Sequence, residues 1–409
     1  MLLAICIPTH QGRRNTLAEL LESIAVQASG LADAVEVCIS DNASEDGTAD
    51  MIGQLQARFP LPLGYHRFES DRGVHNFFNV VEMARAEYCW IVGSDDALPV
   101  GAIDLVVGLL RANPGIGGVT LNKFNFDNLL ETPIGTDHPI VLPRDWGVSR
   151  EMRGFDEIAE NFFFLFLFLS AHIFRRDLWL RGVAGMSADD IKHFRHFVHS
   201  FLYLRVAREN PRWLWNATPS VVQRLGNSCV LEEQGNSGLE FAIQVTEDTM
   251  KFAAHAFAGN EAQVHMASRK LYLIYWNPLS VASYKNGPFG SLAADRRILG
   301  FCVAQFRRNP IFWVTGIWLC LVPYFLLRPS LRLARFIYVR LHDCDQKRGA
   351  GVRGGVFDLL MRLFGVAAKG DTETRLSADA LLGDSLARFL AANRRRLGIT
   401  VKPGPADVA

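Results

Sequence analysis

Asp95 and Asp96 stand side by side just after the apolar run Tyr88-Cys89-Trp90-Ile91-Val92, with only Gly93-Ser94 between. The run reads as a buried strand. Burying one unpaired carboxylate is costly, and two adjacent ones also repel each other. A divalent cation relieves both penalties. Hard oxygen ligands at a strand end suit Mg²⁺ or Mn²⁺, which bind through one or two carboxylates plus substrate phosphates. The plainer alternative is a solvated Asp-Asp turn. Two other clusters follow apolar runs: Pro8-Thr9-His10 and Asp41-Asn42-Ala43-Ser44. A carboxylate such as Asp41, just past a strand, can accept a hydrogen bond from a nucleobase N–H or a ribose hydroxyl.

The elements that must position these clusters alternate. Strands are expected at Leu2–Ile7, Val35–Ser40, Leu63–Phe68 and Tyr88–Val92, and helices at Thr16–Gln27, Thr48–Phe59, Val74–Ala86 and Ala102–Arg111. Such alternation implies an α/β fold with a mostly parallel sheet and helices on both faces. In such sheets ligands bind at the carboxyl ends of the strands, so the three polar clusters should converge. Ser44, Asp46 and Gly47 suit a turn, and Asp46 or Thr48 can cap the next helix.

The chain has 409 residues, 49% of them hydrophobic, and a net charge of +1. That is enough for a catalytic domain plus a second unit, and it gives no electrostatic reason to expect nucleic acid as a partner. The seven cysteines are scattered without a C-x-x-C pair, as expected of reduced thiols in a cytosolic compartment. Met1 to Ile7 lacks the basic flank of a signal peptide and reads as a first strand.

The order Ile5-Cys6-Ile7-Pro8-Thr9, Ser40-Asp41-Asn42-Ala43-Ser44-Glu45-Asp46-Gly47-Thr48, Asp71-Arg72-Gly73 with a later Asn, and Gly93-Ser94-Asp95-Asp96 resembles family 2 glycosyltransferases of the GT-A fold. Tyr88–Gly93 and Arg224-Leu225-Gly226-Asn227 are most similar to the abequosyltransferase branch, whose members add deoxysugars to lipid-linked polysaccharide units in bacteria. A weaker likeness continues through Leu169–Arg176, matching a sheet strand and an Arg-containing turn. The resemblance implies a GT-A (Rossmann-like nucleotide-diphospho-sugar transferase) domain. In it Pro8, Thr9 and Asp41 contact the nucleoside base, and Arg72 lies near the base or diphosphate. Asp95 holds the ribose or the metal shell, and Asp96 binds Mg²⁺ or Mn²⁺. His10, Arg13, Asn42, Asn76 and Ser94 complete the expected nucleotide-sugar site. Many members carry an Asp where this chain has Gly93 or Ser94, which leaves the division of labour between Asp95 and Asp96 open.

Family 2 members usually invert the anomeric centre, with an Asp downstream of the metal motif as base. The match here is Ser187-Ala188-Asp189-Asp190, with Asp190 favoured over Asp189. Ser187 would cap a helix through Ile191–Val206, and acids in its first turn are also simply favourable charge. His193, His196 and His199 share that segment, and one of them is an alternative base. Arg224 could close over the diphosphate, with a surface ion pair as the alternative. Trp213 and Trp215 are expected in the core, with stacking on sugar as the alternative. Phe162–Leu169 reads as a core strand or a wall facing a lipid acceptor.

The domain plan is 1–230 for the GT-A domain (1–100 nucleotide-sugar half, 101–230 acceptor half), 231–345 for a helical region, and 346–409 for a linker and amphipathic helices. Within 231–345, Gly238–Ala258 and Glu261–Trp276 read as helices. Ile311–Leu327 is free of charge and flanked by arginines on both sides. It is near the lower limit for a span and contains Pro323, so an interfacial or hairpin-like membrane-associating segment is expected. The expected partners are a nucleotide-sugar donor, a polyprenyl-diphosphate-linked saccharide acceptor and the cytoplasmic face of a bacterial inner membrane, held peripherally or monotopically. A nucleotidyltransferase is the second reading, disfavoured because Pro8–Arg14 has one Gly and no Lys. A non-catalytic assembly protein is the third, disfavoured because Asp41, Asp95 and Asp96 are all present.

Overall fold

The computed structural model describes residues 1–126, 128–130, 133–135, 147–193, 197–225, 238–276, 281 and 292–317. The described residues divide into two compact units, 1–225 and 238–317.

In the first unit β1 (Leu3–His10), β2 (Val35–Asn42), β3 (Leu63–Arg67) and β4 (Tyr88–Ile91) alternate with α1 (Arg14–Ala25), α2 (Thr48–Gln56) and α3 (His75–Met83), and α4 (Ala102–Ala112) follows. The strands lie parallel in the order β3-β2-β1-β4. Leu3, Ile5 and Ile7 point to one face and pack with Leu17, Leu21, Ile52, Ile103 and Val106 in the main core. The intervening Ala4 and Cys6 are buried as well. Burial on both faces explains why these strands read as continuous apolar runs.

Beyond β4 the sheet is mixed rather than mostly parallel. It continues through β8 (His172–Arg175), β5 (Gly118–Phe126), β9 (Arg212–Arg224) and β7 (Arg150–Arg153), with β6 (Pro133–Gly135) paired to β5. β8 runs antiparallel to both β4 and β5. The segment Phe162–Leu169 is not a strand. It ends α5 (Phe155–Phe162) and winds into two 3-10 turns, Leu165–Leu167 and Leu169–Ala171. Phe162 to Phe166 are all buried, as residues of a strand covered on both faces also are, so packing of the aromatic side chains rather than burial pattern decides the coiled path. The helix expected over Ile191–Val206 is two helices: α7 (Ala188–His193) and α8 (Val198–Glu209), the latter starting after Phe197 in a non-helical conformation. Between β8 and α7 lies α6 (Arg176–Ala184). Trp213 and Trp215 are fully buried on β9.

A polar thread runs through this aromatic layer. Trp213 Nε1 donates to Thr120 Oγ1 (2.8 Å), Thr120 faces His172 Nδ1 at 3.0 Å, and His172 Nε2 faces the Leu165 carbonyl at 2.8 Å. The carbonyl can only accept, so Nε2 carries the proton and Nδ1 accepts from Thr120. Burial holds His172 neutral, with its pKa lowered to about 3, and lowers that of His199 to about 4. Both folded values lie below the unfolded value near 6.5. Their stabilisation is therefore complete above that pH and is lost as pH falls, by about 1.4 kcal/mol per pH unit per group. Urea midpoints should drop sharply between pH 6.5 and 5, and His199→Gln should reduce the slope. An unchanged slope in that variant would remove His199 from this account.

In the second unit α9 (Gly238–Ala256), α10 (Glu261–Tyr275) and α11 (Leu292–Phe306) pack in sequence. Asn260 caps α10 by accepting from the Gln263 amide. Trp276 stacks near Phe301 and donates to Thr246 Oγ1 at 2.7 Å. A π-helical turn, Phe312–Gly316, exposes Trp313 and Val314. No helix among the described residues is long and apolar enough to cross a membrane. Residues 318–327, the linker and the amphipathic helices expected over 346–409 lie outside the described residues, as do Gly226, Asn227 and His196.

Candidate active site

Parallel pairing sets Thr9 directly beside Asp41, and His10 beside Asn42. Asp41 is fully buried, yet it is solvated by protein: Oδ1 accepts from the Ser44 amide (3.0 Å) and Oδ2 from the Tyr65 hydroxyl (2.7 Å). The first of these bonds depends on Ala43, which adopts a left-handed φ of 61° and folds the chain back on the strand end. A non-glycine residue in that region carries strain, and such strain concentrates at functional sites. Asn76, at the start of α3, donates to the Thr9 carbonyl at 3.0 Å. Three buried polar atoms in this neighbourhood, Thr9 Oγ1, Ser44 Oγ and Asn76 Oδ1, have no hydrogen-bond partner. Buried orphans are rare in folded proteins, and a polar ligand would satisfy them.

The loops around these strand ends are stapled together. The Gly12 amide donates to Asp46 Oδ2 (2.8 Å), and the Glu45 amide donates to Gln11 Oε1 (2.7 Å). Asn42 grips the next loop, donating to Asp71 Oδ1 (2.6 Å) and accepting from the Arg72 amide (2.8 Å). Arg72 itself is exposed, its guanidinium 5.9 Å from the Phe68 ring centre. Pro8 sits in β1 opposite Ser40.

At the end of β4 the two adjacent acids have different environments. Asp95 is partly open and pairs with Arg13 at 3.2 Å, while Arg13 Nε also faces His10 Nε2 at 3.4 Å. Asp96 is buried. Its Oδ2 accepts from the Ser170 hydroxyl and its Oδ1 from the Arg224 amide (3.2 Å). Burial and the charge of Asp95 push the Asp96 carboxyl up to about 7, against the opposing pull of Ser170, the Arg224 amide and Lys123. Ser94 is buried beside them. A Cβ on Gly93 would stand 3.0 Å from Asp95 Oδ1 and 3.2 Å from Asp96 Oδ2. Glycine here lets both carboxylates crowd the strand end.

These residues fit a divalent cation. An added positive charge would relieve the penalty that raises the Asp96 pKa. Among the described residues no group of three or more His, Cys, Asp or Glu could hold a metal ion. Asp95 and Asp96 would therefore supply only part of the coordination and leave the remaining positions to phosphate oxygens and water.

Arg224 reaches the site from the end of β9 but spends its guanidinium on the protein. It donates to the Asp95 carbonyl (2.9 Å), to the Asn128 carbonyl and to Glu19 on α1. It acts as a strut between α1, β9 and the acidic loop. The loop is also bridged to β9 by paired amide bonds between Ala97 and Val222. Lys123 on β5 is a cation that sequence reading missed. It is buried, donates to Asn125 and Gln223, and lies 4.5 Å from the Phe168 ring centre. Its only sequence signal is a lysine inside an otherwise strand-like run.

Asp189 and Asp190 occupy the first turn of α7. Asp190 and Ser187 cap each other: the Ser187 amide and hydroxyl each donate to Asp190 Oδ2 (2.9 Å), and the Asp190 amide donates to Ser187 Oγ (3.1 Å). Asp189 is exposed. His199 is buried, with Nε2 facing the Leu167 carbonyl at 3.3 Å and its ring among Phe77, Phe197 and Tyr203.

Residues 4–172 match the sequence model of the family described as Glycosyl transferase family 2. Over 117 residues the chain is 46% identical to abequosyltransferase RfbV of Salmonella typhimurium, covering 28% of this chain and 34% of that protein. The match thus spans about a third of that curated relative's length. The fold is similar to the crystal structure of S. aureus TarS 1-349, with a TM-score of 0.51 at 15% identity, covering 75% of this chain and 82% of that one. The same TarS segment in complex with UDP gives a TM-score of 0.50 at 14% identity, covering 76% and 82%. At that identity the likeness concerns the fold alone. In matching sequence and in strand-end architecture, residues 4–172 are similar to glycosyl transferase family 2.

Proposed function

We propose that the protein is an inverting, metal-dependent glycosyltransferase that moves a sugar from a nucleoside-diphosphate donor to a lipid-linked saccharide in bacterial surface polysaccharide synthesis. The observation that carries this reading is the convergence of Thr9, Asp41, Asp95 and Asp96 at the carboxyl ends of neighbouring parallel strands β2, β1 and β4. The orphaned Thr9, Ser44 and Asn76 atoms support binding of the nucleoside end of the donor here, beside Asp41. The partial identity to an abequosyltransferase favours a deoxysugar such as abequose.

In this reading Asp95 and Asp96 would hold Mg²⁺ or Mn²⁺, which when bound would supply Lewis-acid stabilisation of the departing diphosphate. Arg13 fixes Asp95, and the Ser170 hydroxyl and Arg224 amide fix Asp96. Asp190 removes the proton of the acceptor hydroxyl as the acceptor oxygen bonds to the anomeric carbon from the side opposite the diphosphate. The nucleotidyltransferase reading is disfavoured by the β1–α1 loop, where the Gly12 amide is committed to Asp46 rather than free to cradle phosphate. Trp313 and Val314 (46% and 74% exposed), preceded by exposed Arg307 and Arg308, support peripheral contact with the cytoplasmic membrane surface.

Melting curves with CDP, UDP, GDP and dTDP, each with Mn²⁺ or EDTA, test the reading. One nucleotide at 100-fold above its Kd should stabilise the protein by about 2.7 kcal/mol in Mn²⁺. That corresponds to a rise of roughly 5–10 °C for a domain of this size. Absence of any shift in folded protein would overturn the donor assignment.

A further inference from the structure

We infer that Ser170 is a positioning residue for the acidic loop: its single hydroxyl proton sets the orientation of Asp96. Ser170 lies in the 3-10 turn Leu169–Ala171, far from the loop in sequence, and is fully buried. It makes three hydrogen bonds, one to β4 and two to the loop that follows. Its carbonyl accepts from Trp90 Nε1 (2.7 Å), its Oγ accepts from the Gly93 amide (2.8 Å), and its hydroxyl donates to Asp96 Oδ2.

The geometry leaves the serine little freedom. An amide N–H can only donate, so Gly93 must be served by an Oγ lone pair. The hydroxyl proton is then directed at Asp96 Oδ2. With the Arg224 amide on Oδ1, each carboxylate oxygen has one protein donor and keeps its other lone-pair direction for a cation. The Trp90 bond holds the Ser170 backbone against β4, so the hydroxyl cannot follow Asp96 if the carboxylate turns. Gly93 closes the triangle: its absent Cβ would lie within 3.4 Å of Ser170 Oγ as well as against both acids. Partners of this kind typically change metal affinity by about 10–100-fold when removed.

This inference rests on Asp96 being a metal ligand, as in the proposed function. The test measures Mn²⁺ binding by electron paramagnetic resonance, in the presence of the nucleoside diphosphate that stabilises the wild-type protein. Binding of that nucleotide in EDTA is measured alongside by calorimetry. Wild-type protein that fails to bind Mn²⁺ defeats the metal reading itself. If wild type binds, Ser170→Ala should weaken Mn²⁺ about 10–100-fold and leave metal-free nucleotide binding within about twofold. Ser170→Ala with unaltered Mn²⁺ affinity would overturn the positioning role alone. An equal loss of both affinities would also overturn it, because it would mark general damage to the fold. Should the alanine variant not fold, Ser170→Cys fills the same space with only a weak S–H donor. It should give the same split, and equal Mn²⁺ affinity there would reject the proposal.

Discussion

Asp96→Asn is expected to lower metal-dependent sugar transfer by about 10²–10³-fold while the fold survives, because one preorganised group serving leaving-group charge contributes on that scale. The variant is isosteric and keeps an oxygen for one of the two donors, Ser170 or the Arg224 amide. It removes a charge that the fold itself disfavours. The folded carboxyl is raised to about 7, above its unfolded value of 3.8, so the folded state binds more protons across that window. Ionising Asp96 therefore erodes stability as pH rises through the window. In metal-free protein at pH 8, Asp96→Asn should melt at the same temperature as wild type or higher, and its melting temperature should be less sensitive to pH. Loss of activity combined with gain of stability would identify a functional carboxylate kept at a structural cost. Transfer that persists in Asp96→Asn and ignores EDTA would sink the metal assignment. It would leave charge compensation to cations of the chain such as Arg13.

The strand ends that form this site were legible because their signals are local. β1, β2 and β4 are short apolar runs, each followed by polar residues, and alternation with helices places their ends on one edge. The second half of the sheet left weaker traces. β8 is only His172–Arg175, and nothing local states that it inserts between β4 and β5 against the direction of both. The apolar density of Phe162–Leu169 suits a strand and a coiled aromatic layer equally well, and tertiary packing decides between them. Supporting contacts were invisible for the same reason. Ser170 meets Asp96 across 74 positions, and Arg224 meets Glu19 across 205. Such pairs carry no periodicity, only the types of the residues themselves. Arg224 stood out by residue type, yet its partners were not legible: sequence suggests phosphate, whereas the folded guanidinium faces Glu19 and two backbone carbonyls.

Asp190→Asn is expected to lower turnover by about 10²–10⁴-fold, the usual contribution of a general base, with nucleotide affinity unchanged. Asparagine suits this test because Asp190 has a second, purely structural occupation. Its Oδ2 accepts from the Ser187 amide and hydroxyl at the start of α7. An asparagine oxygen can accept the same two bonds, so the cap survives while the basicity is lost. Asp190→Ala removes both and should cost about 1 kcal/mol of stability beyond the kinetic loss. The pair of variants separates the roles. Slow Asp190→Asn enzyme with a wild-type melting temperature would support catalysis. Full activity in Asp190→Asn together with a lowered melting temperature in Asp190→Ala would make the residue a cap and nothing more. The search for the base would then move to Asp189, exposed one residue earlier on the same turn. His199 would be a poor substitute, since burial holds its pKa near 4 and its Nε2 is turned to the Leu167 carbonyl.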